Sequence, residues 1–256
     1  MSSAHASDRV LLHAAGSLRE ALSDIAKAFE ADGVGVQMKF GPSGTLRDEI
    51  ASGAGAEVFA SANMAHPESL AKAGKGGPVV LFARNRLCAL VKPELTVRPE
   101  NLLDQMLSTE VKVGTSTPQA DPSGDYAWEV FRKADSVKPG AFAALDRKAR
   151  QLTGGAASAQ PPPGRNIYGW HISEGRADIF LAYCTGAVVA QRQNPGLKIV
   201  ALPDALAVGA DYGLIVMNDA SRAAYRFTLF ILSSEGQRIL KKHGFAAPGV
   251  PNGGDP

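Results

Sequence analysis

The chain has 256 residues, 27 basic against 25 acidic side chains, and 45% apolar positions, enough for one large domain or two modest ones with real cores. A net charge of +2 gives no field able to hold a nucleic-acid backbone or an anionic membrane, so partners of those classes are not expected. Two cysteines, Cys88 and Cys184, and five scattered histidines lack the number and spacing of a disulfide framework or a structural zinc site, and the uncharged run Ile179 to Ala190 falls short of a membrane span.

The first half alternates short apolar runs with helical stretches, the pattern of an α/β fold with a mainly parallel sheet. Val10 to Ala15 predicts a buried strand. Leu18, Leu22, Ile25, Ala26 and Phe29 then recur at helical intervals, with Ser17 and Glu20 spaced as a capping box, so Ser17 sits at a strand-to-helix junction. Val34 to Phe40 is the next strand, and Gly41-Pro42-Ser43-Gly44 turns into a helix carrying Leu46 and Ile50 that ends near Gly53. Ser43 marks the second junction.

Val58 to Ser61 reads as a short strand and Pro67 to Lys72 as a helix. Val79 to Val91 is a long extended stretch broken by Arg84, Asn85 and Arg86, which suits a crossing between lobes. After a strand at Val111 to Gly114, Asp121-Pro122-Ser123-Gly124-Asp125-Tyr126 leads into a helix with Tyr126, Ala127, Val130 and Phe131 inward, a third junction of the same kind. Phe142, Leu145, Ala149 and Leu152 predict a helix, and the Gly-, Ala- and Pro-rich stretch Thr153 to Gly164 predicts a loop. A helix at Asn166 to Ser173, a strand at Asp178 to Tyr183, a helix at Thr185 to Arg192 and a strand at Leu197 to Leu202 follow. Tyr212 to Met217 is a last strand before one long helix with Tyr225, Leu229, Leu232, Ile239 and Leu240, stopped at Gly244.

Crossings near Arg84 to Arg86 and near Pro203 to Tyr212 divide the chain into lobe 1, residues 8–83 with 212–250, and an inserted lobe 2, residues 84–211. Two strands joining two lobes make a hinge, with a ligand cleft between the lobes.

A helix N-terminus offers unpaired N–H groups and about half a positive charge, and so attracts anions. Three serine-bearing junctions can supply O–H and N–H donors to one tetrahedral oxyanion, which at neutral pH accepts hydrogen bonds and donates none. A carboxylate in such a site would repel a dianion, although it would accept the proton of hydrogen phosphate. A serine before a helix is most often only a cap, so no single junction makes a site; Gly44 and Gly124, which would let a ligand approach the backbone, add weight to Ser43 and Ser123.

The segments Ala14 to Leu22 (AAGSLREAL), Phe40 to Asn63 (FGPSGTLRDEIASGAGAEVFASAN), Asp121 to Ala127 (DPSGDYA), Gly175 to Ala187 (GRADIFLAYCTGA) and Gly236 to Phe245 (GQRILKKHGF), in this order, resemble the periplasmic molybdate-binding proteins of ABC importers. The likeness implies an α/β type II periplasmic binding protein fold that closes over molybdate or tungstate and delivers it to a membrane permease. The expected protein is a monomer without cofactor or catalysis, holding molybdenum only as the oxyanion and taking no metal ligand from the chain.

Position by position, the resemblance assigns the family's first two serines to Ser17 and Ser43, its small residue within a Pro-x-Gly segment to Ser123, and its donor phenol to Tyr183. A backbone donor falls on Arg165, where the family has an apolar residue. Either the Arg165 guanidinium enters the site and adds a cation, or only its N–H is used and the side chain lies in solvent. Asp125, unfavourable beside a dianion, is expected to point outward, and Tyr126 to be core. His171 beside Trp170 reads as structural or solvated, and Arg84 and Arg86 as hinge surface.

Cys88 and Cys184 either meet as a disulfide, if the protein is exported, or stay as buried thiols. The segment MSSAHASDRV has no apolar signal core, which leaves a periplasmic protein with its signal removed or a cytoplasmic one. Three other readings compete: a sulfate-type oxyanion-binding protein, the effector-sensing module of a regulator, and an enzyme. The regulator needs a DNA-binding segment, and the enzyme an acid–base pair, that the sequence does not display.

Overall fold

The structure, a computed structural model, describes residues 9–30 and 33–248; the expected outer limits of lobe 1, at residue 8 and at 249–250, lie outside these. The chain divides into two compact units, one running up to Arg84 and resuming at Asp211, the other Asn85–Ala210. Strands β4 (Val80–Val91) and β9 (Gly209–Val216) each run through one of these boundaries.

In the first unit β1 (Val10–Ala15) lies between β2 (Val36–Gly41) and β3 (Val58–Ala60), all parallel, and β9 adds antiparallel beside β3 with Val58 opposite Val216. Helices α2 (Ser43–Ala51) and α3 (Ala65–Lys72) bring Leu46, Ile50 and Leu70 onto Phe59 and Ile215 of the sheet. Helix α1 (Arg19–Phe29) meets α9 (Arg222–Leu232) and α10 (Ser234–Lys242), with the Phe29 ring 5.2 Å from Phe227 and 5.7 Å from Phe230. Burying Leu22, Ile25 and Phe29 along one face of α1 contributes about 1.5–3 kcal/mol each. The Glu57 carboxylate fastens two distant pieces, accepting the N–H of Leu11 at 2.8 Å and of Ser221 at 2.8 Å.

In the second unit β4 is flanked by antiparallel β7 (Ile179–Tyr183) and β8 (Lys198–Ala201), and β5 (Val113–Ser116) runs parallel between β7 and β6 (Arg150–Thr153). Helices α7 (Ile167–Ser173) and α8 (Cys184–Gln193) bury Ile172, Ala187 and Ala190 against Phe180 and Leu90. Helix α5 (Pro122–Val137) packs with α6 (Ala141–Lys148).

Several expectations are corrected. The helix predicted through Leu152 stops at Lys148, and Arg150–Thr153 pairs parallel to β5 as strand β6, with a register shift between Gln151 and Thr153; pairing with β5 outweighs helical spacing. The single long C-terminal helix is two: Ser233 leaves helical geometry at ψ 164° and its Oγ accepts the Gly236 N–H at 3.2 Å, capping α10. Gly236 suits that join, because a Cβ there would collide with the Phe230 and Ile231 carbonyls. Tyr225 and Leu229, which mark the spacing of the predicted helix, are 51% and 66% exposed, while Phe227 and Ile231 fill the core. Helix α4 (Leu102–Leu107) went unpredicted. Tyr126 is half-buried, packing its ring edge on Tyr183, and Arg84, expected as surface, is mostly covered and pairs with Asp211 at 2.9 Å.

Cys88 on β4 and Cys184 at the start of α8 form a disulfide across 96 residues of chain, Cα atoms 4.9 Å apart. Replacing both by Ala should destabilise the second unit by about 2–5 kcal/mol. Calorimetric melting of the variant beside the oxidised parent measures this; equal transitions would mean that the bond adds nothing.

Candidate functional site

In the first unit the sheet register sets the geometry. Ala15 lies opposite Gly41, and Ala14 opposite both Phe40 and Ala60, so β1, β2 and β3 end level at their carboxyl edge. The chain then leaves as Gly16-Ser17, Pro42-Ser43 and Ser61-Ala62-Asn63, and this edge is where open α/β sheets carry ligands. Ser17 and Ser43 each follow a level strand end by two residues and are equivalent in the register.

Their local chemistry differs. Ser43 opens α2, buried, and its Oγ accepts the Ala62 N–H at 3.1 Å, which ties the β3 exit to α2 and keeps the hydroxyl hydrogen for donation. The first-turn N–H groups of α2 have no carbonyl a turn earlier to bind, and no side chain caps them. Ser17 does not form the expected capping box with Glu20. It lies in a short 3-10 turn, Gly16–Leu18, and its Oγ shares a hydrogen bond of 3.0 Å with the Tyr212 hydroxyl; α1 starts at Arg19 without a side-chain cap. Tyr212, from β9, was missed as a partner because it lies 195 residues away in sequence.

One turn into α2, Arg47 donates from Nη1 to His66 Nδ1 at 3.1 Å, which places the imidazole hydrogen on Nε2. Burial and the Arg47 charge push His66 from its ordinary 6.5 down to about 4, so it is neutral at pH 7.

In the second unit Ser116, Thr153 and Tyr183 end three strands at one sheet edge, where α5 and α8 begin. Ser123 is buried in the first turn of α5. Its N–H donates to the Asp121 carboxylate at 3.1 Å, and its Oγ, wholly enclosed, has no partner within the protein. Gly124 does not open a path to a ligand as expected: a Cβ there would lie 2.6 Å from Pro118 N and from the Thr117 carbonyl carbon, so the missing side chain accommodates the chain's own backbone.

Tyr183 is buried at the start of α8, opposite Leu87, with the disulfide at its C-terminal neighbour and a buried bond of 2.8 Å from Asn85 Nδ2 to Thr185 Oγ1 just beyond. Arg165 is exposed; its N–H donates to the Pro162 carbonyl at 3.1 Å and its Nη2 to Ser173 Oγ at 3.4 Å. Asp125 accepts the Gln119 N–H at 2.8 Å. His171 is buried, stacked on Phe180 and beside Trp170.

A groove of about 670 Å³ in this unit, lined in part by Lys92, Lys112 and Asp178, lies where β7 begins, at the other end of the strand from Tyr183; Lys92 and Asp178 neutralise each other at 2.8 Å. Among the described residues no three His, Cys, Asp or Glu side chains gather as a metal site, and no helix is long and apolar enough to cross a membrane.

For His66 the folded value lies below the unfolded one, so the unfolded chain takes its proton first. The stability it contributes is complete above pH 6.5 and drains as the pH falls toward 4. His66→Gln, which keeps an acceptor for Arg47, should flatten that part of the stability curve. Urea unfolding of both proteins across this window checks it; parallel curves would remove His66 as the cause.

The sequence matches the family of bacterial extracellular solute-binding proteins over residues 10–246. Among relatives, the Pasteurella multocida protein PM1146 is 33% identical over 234 residues, covering 91% of this chain and 96% of the relative. The molybdate-binding protein ModA of Mycobacterium tuberculosis is 25% identical over 93% of this chain and 85% of its own length. Among solved structures, the periplasmic molybdate-binding protein of Azotobacter vinelandii superposes with a TM-score of 0.75 at 20% identity, over 93% of this chain and 99% of the other. The sulfate-binding protein SubI of M. tuberculosis gives 0.76 at 19%, over 94% and 88%. These likenesses establish the type II periplasmic binding protein fold. With matched residues spanning nearly its whole described length, the chain belongs to the bacterial extracellular solute-binding protein family.

Proposed function

We propose that this chain captures a tetrahedral oxyanion, molybdate or tungstate, and hands it to the permease of an ABC importer, acting as a monomer and without covalent chemistry. The observation that carries the reading is the level pair Ser17 and Ser43, presented by adjacent parallel strands at the edge where α2 opens its unbonded amides. Neutral O–H and N–H donors suit a guest that accepts hydrogen bonds on every oxygen.

The donor residues in this reading are Ser17 and Ser43 from the first unit, with Ser123, Arg165 and Tyr183 from the second. Arg165 joins the set only by releasing its N–H from Pro162. The molybdate-binding proteins among the relatives and structural neighbours support the choice of guest. The similarity to a sulfate-binding protein favours sulfate as the second reading. The disulfide supports placing the protein in the oxidising periplasm.

Titration calorimetry with sodium molybdate tests the proposal. Ser17→Ala and Ser43→Ala should each weaken binding by about 1.5–3 kcal/mol, the scale of a hydrogen bond to a charged group. Sulfate added in excess should leave the molybdate isotherm nearly unchanged; displacement of molybdate would move the assignment to sulfate, and unaltered affinity in both variants would reject the serines as donors.

A further inference from the structure

Asp121 stands at the N-cap of α5, where its Oδ1 accepts the Ser123 N–H at 3.1 Å. Its own N–H donates to the Thr117 carbonyl at 3.0 Å, and its Cβ lies against Gly154, whose φ of 80° and lack of a side chain make room for it. Ser116, at the end of β5, shares a hydrogen bond of 2.7 Å with Thr153 Oγ1, and its side chain favours the charged form of the Asp121 carboxylate. The residue is thus held by the chain just after β5, by the space at the end of β6 and by the first turn of α5.

The charged and titratable groups facing it are Asp125, one turn along the same helix, and the Tyr168 phenol of α7. Neither is a cation. Burial, reinforced by Asp125, pushes Asp121 above the usual carboxylate range. Beside it sits the Ser123 hydroxyl, wholly buried and without a protein partner, so this helix start holds both an occupied amide and an unused donor.

We propose that Asp121 is a specificity-determining residue of the oxyanion site: its carboxylate holds the Ser123 amide that a bound oxyanion would use, so guest and carboxylate compete, and a dianion binds best when Asp121 carries a proton. The proposal rests on the oxyanion reading given above. An ordinary cap predicts something different, because Asn caps a helix as well as Asp does and Asp121→Asn removes only the charge. A merely structural role would move the melting temperature and leave the guest's affinity alone.

The test is calorimetric titration of wild type and Asp121→Asn with sodium molybdate, from about pH 8 downward over a range in which molybdate stays doubly charged. Two buffers of different ionisation heat are used. Near the upper end the variant should bind about tenfold more tightly, as expected from removing a like charge a few ångströms from the guest. The two affinities should converge as the pH falls, with the wild type taking up a proton on binding and the variant none.

Equal affinities at every pH, or proton uptake that persists in the variant, would overturn the proposal. If the variant melts early, uptake by the wild type decides alone, and its absence across the range counts against Asp121. A wild type that gives no heat with molybdate would instead reject the oxyanion reading itself, and this proposal with it.

Discussion

Parallel pairing of β1 with β2, in the register that sets Ala15 against Gly41, is the constraint on which the first unit's chemistry depends. A one-residue slip would turn every side chain of the strand to the other face and separate Ser17 from Ser43 along the sheet edge. The register is held by burial on both sides. Val10, Leu12 and Ala14 are enclosed in β1, and Phe59, in β3, anchors the cluster under α2 and α3. The hydrophobic core thereby fixes where two hydroxyls emerge, although neither hydroxyl contributes to that core.

Holding an anion with neutral groups has an electrostatic logic. Each buried N–H or O–H left without an acceptor costs free energy, and a guest with many lone pairs offsets that cost for several donors at once. The Ser123 hydroxyl is a donor in that condition. Charges nearby follow a different rule: Asp125 is occupied by Gln119, and Lys92 by Asp178 at the far end of β7. The exception is Asp121, whose negative charge is held at a helix start in company with hydroxyls and amides.

Much of this was readable from the sequence. Strand β1, helix α2 from its Pro-Ser-Gly start, the long β4 and the start of α5 all follow from apolar spacing and turn residues. What escaped depends on residues far apart in the chain. Glu20, three residues on, suggests a local cap for Ser17, whereas Tyr212 from β9 is its partner in the fold. Leu152 fits a helical period, but its neighbours Gln151 and Thr153 pair with Thr115 and Ser116 of β5, and Leu152 falls at the irregularity between them. In the last helices the period continues unbroken through Ser233, so Tyr225 and Leu229 appear to share a face with Ile239; a cap inside the run resets the phase. At Asp121 the sequence displayed the residue and the junction, and reading it required seeing which amide its carboxylate had taken.

The antiparallel addition of β9 to β3 has a consequence for the order of synthesis. Strand β3 is complete at Ala60, yet its partner starts only at Gly209, so nearly 150 residues must leave the ribosome before that side of the strand is covered. Until then the nascent first unit presents a bare backbone ladder and Glu57 waits for the amide of Ser221, while Asn85–Ala210 can compact independently. The middle of the sequence can therefore compact before the first unit is complete, and a chain interrupted between β3 and β9 leaves that edge of β3 open and adhesive.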